Sequence, residues 1–189
     1  MRDMTEVISL ITEFLNNEDI DYVIVGGLAA IFYGIPRTSM DLDIIIQIPE
    51  NKIERFVKFL EKKEFFVDKW DLEESFKEKS HCTIQDKNSL LRLDVKGAYT
   101  DLDKKTLDRR VSFEYNGKKI YLASAEDTIA NKLLFGREQD IKDVEGIYAR
   151  QYGKLDAEFL EKRCKELKVW KEFLAMKKRV EKILKEKNE

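Results

Sequence analysis

Cysteine, proline and histidine are all scarce in this chain, with two, two and one copies among 189 residues. Cys82 and Cys164 are too few for a disulfide scaffold or a four-cysteine zinc site, and they fit a reducing compartment. His81 stands alone, so neither a histidine-based metal site nor a Ser-His triad can be assembled around it. Long apolar runs are missing as well. The longest, Tyr22 to Ile35, has 14 residues and three glycines, short of the ~20 that a membrane-spanning helix needs. Asp3, Glu6 and Glu13 interrupt the first apolar stretch, which no secretory segment tolerates, so a cytoplasmic protein is expected. Neither sign of charge dominates: 35 basic against 37 acidic side chains give a net −2. No strong attraction to DNA or to an anionic membrane follows from that balance.

What is present describes a folded protein. Hydrophobic residues at 43% and aromatics at 11% exclude a disordered acidic chain. A chain of this size buries roughly 70% of its unfolded surface, so it folds without a staple.

Val7, Leu10, Ile11 and Phe14 recur at helical spacing and predict a helix over 4–16. Tyr22-Val-Ile-Val25 reads as a short buried strand that ends at Gly26-Gly27, and Leu28 to Tyr33 read as a short helix before Gly34-Ile-Pro36. A second strand runs from Asp41 to Ile48 and stops at Pro49; Ile53, Phe56, Val57 and Leu60 mark a helix after it. Residues 64–79 are charged and without a clear period, and read as a strand followed by a loop. Strands are expected at about 80–86 and 89–96, and Asn116-Gly117 signals a hairpin between Val111–Tyr115 and Lys119–Leu122. From Ser124 onward the pattern is helical, with Ser124 and Asp127 placed as a helix start. The fold class is therefore α/β (α+β): a small mixed sheet with flanking helices over 1–122, and a helical C-terminal region over 123–189 packed on it. Trp170, Phe173, Leu174, Val180, Ile183 and Leu184 form a helical stripe expected to face the α/β half. Residues 154–189 carry a net +4, which leaves −6 for the remainder.

The acidic part carries the chemistry. Asp41 and Asp43 are two apart on a strand and share a face. Two carboxylates 4 Å apart repel by roughly 4 kcal/mol at an effective dielectric of 20. Isolated Asp-x-Asp pairs are usually solvated surface acids, but this one leads directly into Ile44-Ile45-Ile46, a core strand. A dication is the natural neutraliser, and oxygen ligands favour Mg²⁺ or Mn²⁺. Gly26-Gly27 lets backbone approach a phosphate at the start of a helix; without a ligand the same pair is a tight turn. Arg37 and Thr38 add a guanidinium and a hydroxyl, with Arg37 equally suited to pairing with Asp41 or Asp43. Asp94, on a strand whose Leu91, Leu93 and Val95 take the core face, supplies a third acid if that strand lies beside the Asp41 strand. Three carboxylates around two cations suit in-line displacement at phosphorus. Lys132, Gly136, Asp140 and Asp143 fall at i, i+4, i+8 and i+11, one helical face if the helix continues through Gly136.

The stretch Val25-Gly-Gly-Leu-Ala-Ala-Ile-Phe-Tyr-Gly-Ile-Pro-Arg-Thr-Ser-Met-Asp-Leu-Asp-Ile44, followed by Asp94, resembles the nucleotidyltransferase superfamily related to DNA polymerase beta. The fourteen-residue step from Gly27 to Asp41 and the block Ser124 to Asp143 resemble its minimal, toxin-associated branch, that of the AbiEii-like abortive-infection proteins. The superfamily's usual Gly-Ser is here Gly27-Leu28, so the hydroxyl beside the phosphates is missing. The resemblance implies a transferase that moves NMP from an NTP to an acceptor hydroxyl on RNA, protein or a small molecule such as an antibiotic. The NTP and Mg²⁺ (or Mn²⁺) would bind between the sheet and the helical half. Asp41, Asp43 and Asp94 would hold metal. Gly26, Gly27, Arg37, Thr38, Lys132 and Asp140 would bind nucleotide, with Lys132 on the triphosphate. A cognate antitoxin is an implied partner. A non-catalytic nucleotide-binding or antitoxin-like protein of the same fold is the alternative.

Overall fold

The structure, a computed structural model, describes residues 1–186. Asp3 starts helix α1 (Met4–Asn17) through a reciprocal cap: its carboxylate accepts from the Glu6 N–H, and the Glu6 carboxylate accepts from the Asp3 N–H. Val7, Ile11 and Leu15 form the buried stripe of that helix. Then come β1 (Asp21–Ile24), α2 (Gly26–Tyr33), β2 (Asp41–Gln47) and α3 (Glu50–Lys62). Phe14 of α1 stacks on Phe56 and Phe59 of α3.

The stretch expected as strand and loop contains a helix. After β3 (Phe65–Phe66), Asp68 caps α4 (Lys69–Lys77) by accepting from the Asp71 N–H at 3.1 Å, and Leu72 and Ser75 are its buried residues. The cap and one apolar contact outweigh the high charge of the segment. Next are β4 (His81–Asp86), β5 (Arg92–Gly97), α5 (Asp101–Asp108), β6 (Val111–Tyr115) and β7 (Lys118–Leu122). Thr100 and Asp103 cap α5 reciprocally. Asn116 and Gly117 both have positive φ, at 50° and 73°, as the hairpin between β6 and β7 requires.

Among the described residues the strands form a seven-stranded mixed sheet in the order β3-β4-β5-β2-β1-β7-β6. Strand β2 runs antiparallel to β1 and parallel to β5, and β1 runs parallel to β7. Leu42, Ile44 and Ile46 of β2 are all 1% exposed or less. On the opposite face, Ile45 packs with Val23, Leu107 and Ala123, and Lys96 anchors α5 through a 2.8 Å ion pair with Asp103.

Two compact units result. The first comprises Met1–Leu28 with Ser39–Ala123; the second comprises Ala29–Thr38 with the chain from Ser124 onward. The second holds α6 (Ala125–Phe135), α7 (Glu138–Arg150), α8 (Ala157–Glu166) and α9 (Trp170–Glu186). Ser124 caps α6 by accepting from the Asp127 N–H. A fully buried ion pair, Arg163 with Asp127 at 2.8 Å, ties α8 to α6. Of the apolar stripe on α9, Phe173 and Val180 are buried with Met176, while Leu174 and Ile183 are exposed. This helix packs on α6, α7 and α8. The segment 29–38 seats on α7: Gly34 fits against Ile147, Gly146 fits against Ile35, and Arg150 donates to the Gly34 carbonyl at 2.7 Å. Among the described residues no helix is long and apolar enough to cross a membrane.

Candidate active site

Register places the three carboxylates. In the parallel pair of β2 and β5, Asp41 lies opposite Arg92 and Asp43 lies opposite Asp94. Alternation along each strand puts Asp41, Asp43, Arg92 and Asp94 on one face, while Leu42, Leu93 and Val95 fill the core on the other. All three acids are half-buried.

Each carboxylate is gripped by a different donor. Arg92 Nε donates to Asp41 Oδ1 at 2.7 Å. Thr83 Oγ1, from β4, donates to Asp94 Oδ1 at 2.6 Å; Thr83 is the registered partner of Asp94. The Gly27 N–H donates to Asp43 Oδ2 at 3.4 Å, and the Asp43 carbonyl accepts from the Val25 N–H at 3.0 Å. The glycine turn is thereby laid directly on Asp43. Gly26 has φ +64°, and a Cβ there would lie 2.2 Å from Asp43 Oδ2. Only glycine satisfies both conditions. The hydrogen bond to Asp41, followed by the fields of Asp41, Asp94 and Asp43, pushes the Arg92 guanidinium above its ordinary value.

The second unit gathers a different set. Asp143 accepts from Arg37 Nε at 2.8 Å, Arg37 Nη2 at 2.9 Å and Gln139 Nε2 at 2.9 Å. Lys132 Nζ lies 2.8 Å from Asp143 and 2.9 Å from Asp140, and Arg137 Nε donates to Asp140 at 2.7 Å. The Lys132, Asp140 and Asp143 side chains are only 7%, 2% and 5% exposed. The helix does not continue through Gly136. With φ +65° that residue ends α6, and α7 begins at Glu138, so Lys132 meets both aspartates across a corner rather than along one face. Arg37 meets Asp143 through Nε and Nη2, and Thr38 is exposed with its carbonyl accepting from Arg37. Burial alone would raise the Asp143 carboxyl. The hydrogen bonds from Arg37, Lys132 and Gln139 outweigh it and hold the group down at about 2.

The profile of a family described as "Nucleotidyltransferase of unknown function (DUF6036)" matches residues 2–185. The chain belongs to this nucleotidyltransferase family. No curated protein matches its sequence. Among solved structures, an antigenic nucleotidyltransferase-like protein from Paracoccidioides brasiliensis is similar at 20% identity and a TM-score of 0.56, over 86% of each chain. The antibiotic-resistance factor ANT(2'')-Ia, in complex with adenylyl-2''-tobramycin, is similar at 13% identity and a TM-score of 0.58, over 87% of this chain and 96% of the other. At these identities the likeness concerns the fold.

A nucleotidyltransferase site calls for divalent cations, and the residues on β2 and β5 fit them in kind. The donor set is all oxygen, the glycine turn lies directly on the Asp43 carboxylate, and the Arg92 guanidinium already stands as a cation on Asp41. Among the described residues no group of three His, Cys, Asp or Glu side chains is arranged to hold a metal ion as it stands. Arg92 and Thr83, which take one oxygen each of Asp41 and Asp94, went unforeseen as partners. Their signal was nonetheless present in the sequence, because both are polar residues in alternation on strands next to the acids.

Gly26→Ala tests the close approach of the turn to Asp43. The left-handed backbone costs a non-glycine residue about 1–2 kcal/mol. The new methyl also displaces the Asp43 carboxylate from the Gly27 N–H. Stability measured in urea should fall by about that amount.

Proposed function

We propose that this protein is a Mg²⁺-dependent nucleotidyltransferase that transfers NMP from an NTP to an acceptor hydroxyl. The observation that carries the reading is the juxtaposition of Asp41, Asp43 and Asp94 on one sheet face with the Gly26-Gly27 turn bound to Asp43. Asp41, Asp43 and Asp94 would hold the metal, whose role when bound is to neutralise triphosphate charge and to favour ionisation of the acceptor hydroxyl.

The residues of this chain do the positioning. The Gly26-Gly27 turn brings backbone N–H groups at the start of α2 to the phosphates, which substitutes for the serine hydroxyl that Leu28 cannot supply. Asp94, held by Thr83, serves the acceptor side. There the acceptor oxygen forms a bond to the α-phosphorus, the bond from that phosphorus to the bridging oxygen breaks, pyrophosphate leaves, and the hydroxyl proton passes to solvent. Most of the acceleration comes from orientation and fixed charge. Lys132, enclosed by Asp140 and Asp143, holds Asp143 and through it Arg37, so its first task is to fix the segment that leads into β2.

The acceptor classes are an RNA end, a protein side chain and a small molecule. The likeness to a toxin-associated branch makes a cognate antitoxin the protein partner to look for. The test is incubation with each α-labelled NTP and Mg²⁺, offering total RNA, protein and small hydroxylated compounds, with pyrophosphate release read in parallel. Label on any acceptor that disappears with chelator and with Asp94→Asn supports transfer. Nucleotide binding without label or pyrophosphate supports the non-catalytic alternative, the reading favoured by Leu28 at the serine position.

A further inference from the structure

Arg92 and Asp41 face each other as registered partners on β5 and β2, and Asp94 and Asp43 form the next such pair on the same face. The Arg92 Nε donates to Asp41 Oδ1 at 2.7 Å, yet half of its side chain remains exposed. Its chain neighbours Leu91 and Leu93 are buried, so the guanidinium can leave Asp41 without opening the core. In the absence of a divalent ion it places a positive charge against one of three like-charged groups. Thr83 does not do this for Asp94, because a neutral hydroxyl orients a carboxylate without neutralising it.

Building on the nucleotidyl-transfer reading of this site, we infer that Arg92 is a built-in counter-ion that occupies Asp41 until a divalent cation displaces it. Cation loading at this face is then an exchange, not capture by bare carboxylates. A divalent ion alone loads poorly, since it must expel a guanidinium already hydrogen-bonded to Asp41. Nucleotide eases the exchange by giving the released guanidinium an anionic triphosphate to face. Mg²⁺ and NTP therefore load together more readily than either does alone, without a second conformation of the backbone. Arg92 acts here as a positioning residue that governs cation occupancy.

The test is calorimetric titration of the full chain with Mn²⁺ alone at low ionic strength, on the wild type, Arg92→Gln and Arg92→Lys. Arg92→Gln should bind Mn²⁺ about fivefold more tightly than the wild type, with Arg92→Lys close to wild type because the charge is kept. A merely structural role for Arg92 would weaken Mn²⁺ binding or leave it unmoved on substitution. Equal or weaker binding by Arg92→Gln overturns the inference and leaves the reading of the site in place. No Mn²⁺ binding by any of the three, with or without ATP, overturns both. A second measurement needs no variant. In ¹⁵N spectra of the wild type, the Arg92 Nε–H resonance should shift when Mg²⁺ and ATP are added, and stay still in KCl of matched ionic strength. A resonance that stays fixed at saturating Mg·ATP also overturns the inference.

Discussion

Asp94→Asn should leave Mg·NTP binding nearly intact, or tighten it, while transfer falls by roughly 10²–10⁴-fold. Asp41→Asn should lose binding and transfer together. The asymmetry comes from the strands. Asp41 and Asp43 are two apart on β2, and Asp43 is bound to the glycine turn proposed to receive the triphosphate. Asp94 sits on β5 and is steadied from the other side by Thr83 on β4, at what we propose is the acceptor side. Substituting it with the isosteric amide also removes one of three like charges, which relieves repulsion at the nucleotide side. Asp41→Asn removes a carboxylate from the proposed nucleotide side and at the same time takes from Arg92 its ion-pair partner on β2. Calorimetry with ATP and GTP should show affinity down by at least about tenfold in Asp41→Asn. Equal losses of affinity in the two variants would show that the division of labour is wrong.

Lys132→Met should be among the most destabilising substitutions in the helical unit. Lys132 lies within 2.9 Å of both Asp140 and Asp143, and all three side chains are buried. Removing one partner of a buried ionic group costs about 3–5 kcal/mol, because the charges left behind lose their compensation. Arg37, Arg137 and Gln139 remain, which puts the expected loss near the lower end, about 3 kcal/mol. That corresponds to roughly 6–12 °C in Tm for a chain of this length. The pH dependence gives the effect its signature. The Asp143 carboxyl is held at about 2 in the folded protein, below its value in the unfolded chain near 3.8. A depressed carboxyl contributes stability that is complete above the unfolded value and disappears as pH falls through the folded one. The gap between wild type and Lys132→Met should therefore be constant from pH 5 to 7 and narrow from about pH 4 to pH 2. Urea melts at each pH measure it; a gap that widened on acidification would contradict the assignment of charge within the network.

Local signals carried much of the fold. The apolar period of α1, the Asn116-Gly117 hairpin and the Ser124 cap are short-range devices, and each appears in the structure where its residues stand. The core alternation in Leu91, Leu93 and Val95 likewise left Arg92 and Asp94 on the other face. The charged stretch after β3 misled because its helix depends on few residues, chiefly the Asp68 cap and buried Leu72, and mean polarity hides both. Helix α5 had a readable start in Thr100 and Asp103, whose reciprocal cap is a pair three positions apart. Other features could not be read locally. Arg37 meets Asp143 across 106 residues, and the segment 29–38 joins the helical unit because Gly34 and Gly146 let it lie against α7. No periodicity encodes that docking. The face that Asp41 and Asp43 share followed from strand alternation alone, whereas the neighbours of that face depended on strand order, which single-sequence patterns leave open.

Thermal melting decides whether Asp41, Asp43 and Asp94 with the Gly26-Gly27 turn form the proposed metal–nucleotide site. Wild type and Asp43→Asn would be compared with Mg²⁺, with each of the four NTPs, and with both together. At about 100-fold excess over Kd, ligand stabilises the folded state by about 2.7 kcal/mol, roughly 5–10 °C for a chain of this size. Such a rise is expected for the wild type with Mg²⁺ and at least one NTP together, a much smaller one with either alone, and none for Asp43→Asn. Wild-type melting curves unchanged by Mg²⁺ with every one of the four nucleotides would contradict the proposed site.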